Sequence, residues 1–272
     1  MPRSSEFALA AVLLAAPVLR AQPAKPAIPA LARLSLVERR VELSSARGWH
    51  EAKEGSALRI GERLRTAPDA VARLDLSWMT MTLSPASSVA FPDDPVLSAV
   101  LDQGRVQLHA DKHEILKLVT AEAEVRGQGR AVVRRDGKAT LVTSLAGRFV
   151  VEAAGKSVTL PAGTGTIVHH GKPPLPALAL PEPPERLSPG SDPQYVALGD
   201  PVSLNWEPKG PAHQVEVLAV GSDHVLIQRD VGAPPWRVTI PWPGAFRWRV
   251  ATRDERGLEG KPSAEGLICV DN

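Results

Sequence analysis

The feature that most constrains this chain is a proline-rich run near its centre, residues 171–193, which holds eight prolines and no regular apolar periodicity. Because proline fixes φ and lacks a backbone N–H donor, such a run favours an extended, semi-rigid spacer. An irregular stretch of this length is also unusual inside one compact fold. We therefore expect two modules joined by a linker at 171–193; the alternative is a proline-decorated loop within one domain.

The composition favours an all-β protein and argues against nucleic-acid binding. Of the 272 residues, 43% are hydrophobic, which suffices for ordinary cores, and the 26 prolines and 21 glycines indicate many turns. The 32 Lys and Arg nearly balance the 30 Asp and Glu, whereas nucleic-acid binders carry a clear basic excess. The single cysteine, Cys269, excludes an internal disulfide and a metal site of several thiolates.

The first residues have the order of a secretory signal. Arg3 precedes a 13-residue apolar run at 7–19, and small residues follow at Ala21 and Ala24. This run is shorter than the roughly 20 residues needed to span a bilayer. We therefore expect a signal peptide at 1–21, cleavage after Ala21, a periplasmic location and no membrane-spanning segment in the mature protein; an uncleaved anchor is the alternative.

A first β-rich module is expected at residues 36–170, after a Pro/Ala-rich linker at 22–35. Residues 72–78 alternate apolar and polar side chains, as a strand with one buried face requires. The alternation changes phase near Trp78 and Met79, which indicates a bulge or a tight turn between two strands.

Turn signals continue through the rest of this module. Asp136-Gly137 lies between two apolar runs and is a strong short signal for a hairpin, because both residues tolerate positive φ. Four glycines then recur every eight residues, from Gly147 to Gly171. This spacing fits a meander or a solenoid-like coil.

Seven segments of this module occur in an order typical of one known family: 55–66, 72–76, 83–88, 101–106, 119–120, 125–127 and 158–163. Over about residues 40–172 they resemble the FecR domain, a β-rich periplasmic module of iron-citrate sensing regulators. Two places depart from the family: Gln128-Gly129 stands where a threonine is usual, and residues 77–79 replace a common Asp-Gly-Ser turn. FecR-type regulators signal to a cytoplasmic sigma factor through a transmembrane helix. Since a cleaved signal would leave no such helix, the resemblance implies an exported FecR-domain protein.

The second module is expected at residues 194–272. Residues 202–206 alternate towards Trp206, and residues 244–250 place Phe246, Trp248 and Val250 on one face. With about seven short strands, this module resembles a fibronectin type III or immunoglobulin-like sandwich. The resemblance implies that Trp206 and Trp248 fill the space between two sheets. Such a fold does not by itself specify a function.

No catalytic or cofactor motif is recognisable in the sequence. Nucleophile-elbow, zinc-helix and phosphate-loop patterns are all missing. His109, His113 and Glu114 have the spacing of a metal face on a helix, but their surroundings indicate strand or loop. Asp93-Asp94, flanked by prolines, is typical of a turn. We therefore expect a non-enzymatic protein with no catalytic residues, no metal site and no cofactor.

Four residues are candidates for binding. The segment 126–130 could form an anion-binding nest flanked by Arg126 and Arg130, or an ordinary turn between strands. Trp236 and Trp242, beside prolines, could stack on sugars or on a protein surface, or could pack at the edge of the core.

Two hypotheses follow for the function. The first is an exported adaptor, scaffold or sensor component whose modules bind another envelope protein. The second is a module that binds peptidoglycan or another cell-wall polysaccharide with exposed tryptophans and arginines.

Overall fold

The structure is a computed structural model that describes residues 30–45, 48–76, 79–93, 99–110 and 116–272. The expected signal peptide at 1–21 and most of the linker at 22–35 lie outside these residues. Within the described ranges every regular element is a strand. No helix in this part of the chain could cross a membrane. The all-β class is confirmed.

Fifteen strands of the described chain, all between residues 32 and 179, join in one sheet. They are β1 (Ala32–Glu38), β2 (Val41–Ser45), β3 (Gly48–Glu51), β4 (Ala57–Leu58), β5 (Arg63–Thr66), β6 (Val71–Asp75), β7 (Met79–Leu83), β8 (Ser88–Ala90), β9 (Ala99–Ala110), β10 (Leu116–Val119), β11 (Glu124–Arg135), β12 (Ala139–Ala153), β13 (Lys156–Pro161), β14 (Thr164–His169) and β15 (Leu178–Ala179). The main path runs β15-β14-β12-β11-β10-β9-β7-β6-β1-β4. The other strands branch from it.

The predicted alternation places side chains as expected in the β6–β7 hairpin. Ala72 and Leu74 are buried in β6, and Leu74 pairs with Met81 of β7. The predicted change of phase thus falls between two antiparallel strands, although Ser77 and Trp78 lie outside the described residues. One contiguous apolar cluster fills this module.

The Asp-Gly signal is confirmed as the hairpin that joins β11 and β12. Gly137 has a φ of 87°, and the Asp136 carboxylate accepts hydrogen bonds of 3.0 Å from the backbone N–H groups of Lys138 and Ala139. Strand β12 then pairs with β14 through its first half and with β13 through its second half. These strands form a meander in which Gly155 and Gly163 occupy turns, whereas Gly147 lies inside β12.

The rest of the chain forms a β-sandwich, as predicted. Its strands are β16 (Glu185–Ser188), β17 (Gln194–Ala197), β18 (Pro201–Glu207), β19 (Ala212–Ala219), β20 (Val225–Val231), β21 (Trp236–Thr239), β22 (Gly244–Arg253), β23 (Glu259–Pro262) and β24 (Gly266–Asp271). One sheet has the order β16-β18-β21, and the other has β17-β24-β22-β19-β20 with β23 beside β22. Residues of both sheets share one core, in which the rings of Trp206 and Trp248 lie 6.2 Å apart. The predicted positions of these tryptophans are confirmed.

The proline-rich run does not hold the two modules apart, which corrects the expectation of a spacer. Within it, β15 pairs with β14 of the first sheet, and β16 pairs with β18 of the sandwich. The Thr252 hydroxyl also donates to the carbonyl of Glu182 at 2.7 Å. An extended backbone offers free N–H and C=O groups, so this segment adds short edge strands to both neighbours. The domain limits 36–170 and 194–272 stay a prediction.

Candidate functional site

Strands β11 and β12 bend where two glycines face each other. Gly129 and Gly147 are cross-strand partners with φ values of 109° and 83°, and the register shifts between Arg130 and Ala131. A Cβ on either glycine would overlap a backbone carbonyl of the opposite strand. Only glycine fits such a close approach, so this pair fixes the bend.

The structure contradicts both interpretations of the segment 126–130, the turn and the anion-binding nest. The segment is not a turn, because it lies inside β11. It is not an anion-binding nest either, since β11 pairs with β12 on one side and with β9 and β10 on the other. Its backbone N–H groups therefore serve the sheet, and any binding here must use side chains.

A groove of about 880 Å³ follows this bend. It is called the basic groove below and is lined by His109, Ala110, Arg126, Gly127, Gln128, Gly129, Arg130, Ala146, Gly147, Arg148 and Val150. The predicted residues Arg126 and Arg130 thus share one surface. Cross-strand pairing adds His109 beside Arg130.

The charges of the basic groove are only partly compensated. Arg126 forms an ion pair with Glu124. Arg130 and Arg148 are exposed, and within the described ranges neither has an ion pair or a side-chain hydrogen bond. Val150, 38% exposed, adds an apolar side chain. The groove thus combines free guanidinium groups with an apolar contact, which suits an anionic and partly apolar ligand.

Trp236 and Trp242 lie in the sandwich, away from the basic groove. Both indoles are half-buried and pack against the sandwich core. The alternative that they pack at the edge of the core is therefore the one that the structure shows, because the edge of a small core gains from covering itself with large apolar rings. A binding role for the two indoles stays a prediction. A more exposed indole is that of Trp49, which the sequence analysis did not single out; the guanidinium of Arg65 stacks 4.1 Å from its ring.

The other polar candidates do not converge. His109 and Asp93 are exposed, whereas His113, Glu114 and Asp94 lie outside the described residues. Among the described residues no three His, Cys, Asp or Glu side chains are close enough to hold a metal ion.

Sequence reasoning missed a buried ion pair between the two modules. Arg105 of β9 donates to both carboxylate oxygens of Glu259 in β23, at 2.9 and 2.5 Å, and also to the Ser84 hydroxyl at 2.9 Å. The side chains of Arg105 and Glu259 are only 6% and 8% exposed. Burial alone lowers the pKa of Arg105, but the carboxylates of Glu259 and Glu216 outweigh it and raise this pKa. Arg105 therefore stays charged.

Further ion pairs extend this contact within the sandwich. Glu216 accepts a hydrogen bond from Arg249 at 2.9 Å and another from Gln228 at 2.9 Å. Arg253 donates to both oxygens of Asp230, at 2.6 and 2.5 Å. We call the Arg105, Glu216, Glu259, Arg249, Arg253 and Asp230 side chains the inter-module network.

Two small apolar clusters also join the modules. In one, Leu36 and Val71 of the first module contact Leu218 and Val225 of the sandwich. In the other, Leu258 packs against Ala139, Leu141 and Ile167. These contacts and the inter-module network pack the two modules against each other.

A second closed network lies within the first module. Glu122, whose side chain is 1% exposed, accepts hydrogen bonds from Arg135 at 2.8 and 3.0 Å and from the Thr140 hydroxyl at 2.8 Å. The hydrogen bonds from Arg135 are the main reason that the pKa of Glu122 is lowered. They hold the turn between β10 and β11 against the β11–β12 hairpin.

Comparison with known proteins assigns this chain to no family. No protein-family model matches the chain, and no curated protein matches its sequence. Two crystal structures, at 2.50 and 1.65 Å, of a "putative anti-sigma factor" from Parabacteroides distasonis ATCC 8503 are similar to part of it. Each match has 13% sequence identity and a TM-score of 0.38, and it covers 43% of this chain and 59% of the other.

Proposed function

We propose that this chain is a non-enzymatic, exported envelope protein that binds another protein through the basic groove, as an adaptor, scaffold or sensor component. The observation that carries the proposal is the pair of exposed guanidinium groups, Arg130 and Arg148, that line the groove without an ion pair among the described residues. Together with Val150 they offer charge and apolar contact on one surface, the combination that anchors partners at protein interfaces.

The chemistry of the groove favours an acidic segment as its occupant. A guanidinium group binds a carboxylate through two parallel N–H donors, so Arg130 and Arg148 suit Asp or Glu side chains. The groove runs along two paired strands, and its floor is backbone that the neighbouring strands hold in place. An extended acidic segment with one apolar side chain for Val150 would fit without rearrangement of the floor.

The envelope location in this proposal rests on the amino-acid sequence. The leader at 1–21 supports export, and the seven FecR-like segments support an envelope role. Fractionation of cells followed by N-terminal sequencing tests this part. We expect a periplasmic protein that begins at Gln22. Full-length chain in the cytosol would contradict the proposed envelope location.

Site-specific photo-crosslinking tests the groove itself. A benzophenone amino acid in place of Val150, in the full-length protein in its native host, should crosslink to one defined protein. The same group in place of Val220, which is 50% exposed on the sandwich, is the positional control and should not give this product. Arg130→Glu with Arg148→Glu should abolish the product from position 150, because both groove cations would then repel an acidic segment.

A matched pair of charge reversals controls for net charge. Arg63 and Arg237 are exposed strand residues without an ion pair among the described residues, so Arg63→Glu with Arg237→Glu changes the charge equally and should keep the product. Absence of any protein product from position 150 would contradict the proposal. A product made of cell-wall glycan instead would favour the polysaccharide-binding hypothesis.

A further inference from the structure

A second cleft, of about 350 Å³, lies between the two modules. Arginines from both sides line it: Arg105, Arg134 and Arg135 from the first module, and Arg229 and Arg253 from the sandwich. Its volume is near the lower end of the roughly 300–1,000 Å³ that small-molecule sites occupy. We call it the inter-module cleft.

Three of these arginines are compensated by carboxylates. Arg105 pairs with Glu259, Arg135 with Glu122, and Arg253 with Asp230. These three guanidinium groups are therefore engaged in the protein's own ion pairs.

The other two arginines lack such a partner. Arg134 is half-buried and has neither an ion pair nor a side-chain hydrogen bond within the described part of the chain. Arg229 donates only to the carbonyl of Pro68, at 3.5 Å, the outer limit of a hydrogen bond. The one remaining carboxylate of the cleft, Asp136, accepts hydrogen bonds from two backbone N–H groups. The cleft thus carries an excess of positive charge.

The burial and the charged neighbours of Arg134 also favour an anion in the cleft. Burial is the main cause that lowers the pKa of Arg134, and the nearby positive charge of Arg253 lowers it further; the carboxylates of Asp230, Asp136 and Glu259 offset this lowering only in part. A partly buried cation beside another cation is unfavourable unless an anion joins them. An oxyanion that enters the cleft would relieve this cost.

We propose that the inter-module cleft binds a phosphoryl group, held by Arg134 from the first module and Arg229 from the sandwich. Two guanidinium groups suit a phosphate, because each presents parallel N–H donors to its oxygens. Since the two arginines belong to different modules, the ligand bridges them and stabilises their contact. At a ligand concentration 100 times Kd, the equilibrium constant for unfolding should fall about 100-fold.

Isothermal titration calorimetry of the mature protein with inorganic phosphate, at constant ionic strength in a chloride buffer, tests the site. We expect saturable binding of one phosphate per chain. Arg134→Gln and Arg229→Gln should each weaken binding at least tenfold, and Arg134→Lys should also weaken it because lysine lacks the fork of donors. Arg63→Gln in β5, which does not line the inter-module cleft, should leave binding unchanged.

Parallel titrations identify which kind of molecule carries the phosphoryl group, and a separate unfolding measurement controls for misfolding. Phosphoserine and glycerol 3-phosphate test a group carried by a larger molecule, and tighter binding than inorganic phosphate would identify that source. Thermal unfolding without ligand shows whether each variant folds. The proposal is overturned if none of the three compounds binds saturably, or if folded Arg134 and Arg229 variants bind as well as the parent. Crosslinking from position 150 does not depend on this result, so the two proposals fail separately.

Discussion

Arginine side chains have opposite roles in the inter-module network and in the basic groove. In the network, Arg105, Arg249 and Arg253 are largely buried, and each has a carboxylate partner. In the groove, Arg130 and Arg148 are exposed and, among the described residues, have none. A buried charge is tolerated only with its partner, whereas an exposed one is free to meet a ligand. The positions of the carboxylates therefore separate the arginines that stabilise the fold from those available for binding.

Loss of a carboxylate from the network should have the largest effect. Glu259→Ala leaves Arg105 buried without its main partner, and we expect a loss of about 3–5 kcal/mol in the free energy of unfolding. Urea denaturation followed by tryptophan fluorescence measures it. Asp69→Ala, which removes an exposed ion pair with Arg39, is the matched control and should cost less than about 1 kcal/mol. Equal losses would contradict the distinction between buried and exposed charges.

Adding a methyl group at Gly129, in the floor of the basic groove, should have the next largest effect on stability. In Gly129→Ala the new methyl group meets the backbone of β12 at a positive φ, and we expect a loss of about 3 kcal/mol. Gly155→Ala has a positive φ but open space around it, so its loss should be about 1 kcal/mol. Differential scanning calorimetry distinguishes them. Similar midpoints for both variants would mean that the close approach of β11 and β12 is not needed.

The Glu122–Arg135 pair inside the first module should make the free energy of unfolding depend on acid pH. Because Arg135 lowers the pKa of Glu122 in the folded protein, the stabilisation is complete above the unfolded pKa of about 4.3 and is lost as pH falls through the folded value. Glu122→Gln removes the titrating group. Unfolding free energies measured from pH 7 to pH 2 should therefore fall less steeply in this variant than in the parent. Parallel curves would contradict the pairing.

The groove cations should contribute least to stability. We expect Arg130→Glu with Arg148→Glu to change the free energy of unfolding by no more than about 0.5 kcal/mol, because neither guanidinium has a partner to lose. The same urea titration measures this change. A loss of more than 2 kcal/mol would show that these arginines belong to the fold and not to a binding surface.

Local signals in the sequence were sufficient for part of this structure. The Asp136-Gly137 hairpin follows from the turn chemistry of two adjacent residues. The burial of Trp206 and Trp248 follows from alternation along single strands. Such features depend on neighbours in the chain, so they can be predicted without knowledge of the strand order.

The functional surfaces depend on contacts between distant residues. Arg105 and Glu259 are separated by 154 positions, and alternation alone assigns such charged side chains to a solvent face. Only the docking of one module on the other buries them. Arg126 and Arg130 were identified from the sequence, but Arg148 and Val150 join them through the register of β11 and β12, which no local pattern gives.

The most direct test of the different roles of paired and unpaired arginines is the yield of the crosslinked protein from position 150 in the two charge-reversal backgrounds. We predict that Arg130→Glu with Arg148→Glu reduces this yield at least tenfold, whereas Arg63→Glu with Arg237→Glu leaves it within twofold of the parent. Equal yields in the two backgrounds would contradict the role assigned to the groove.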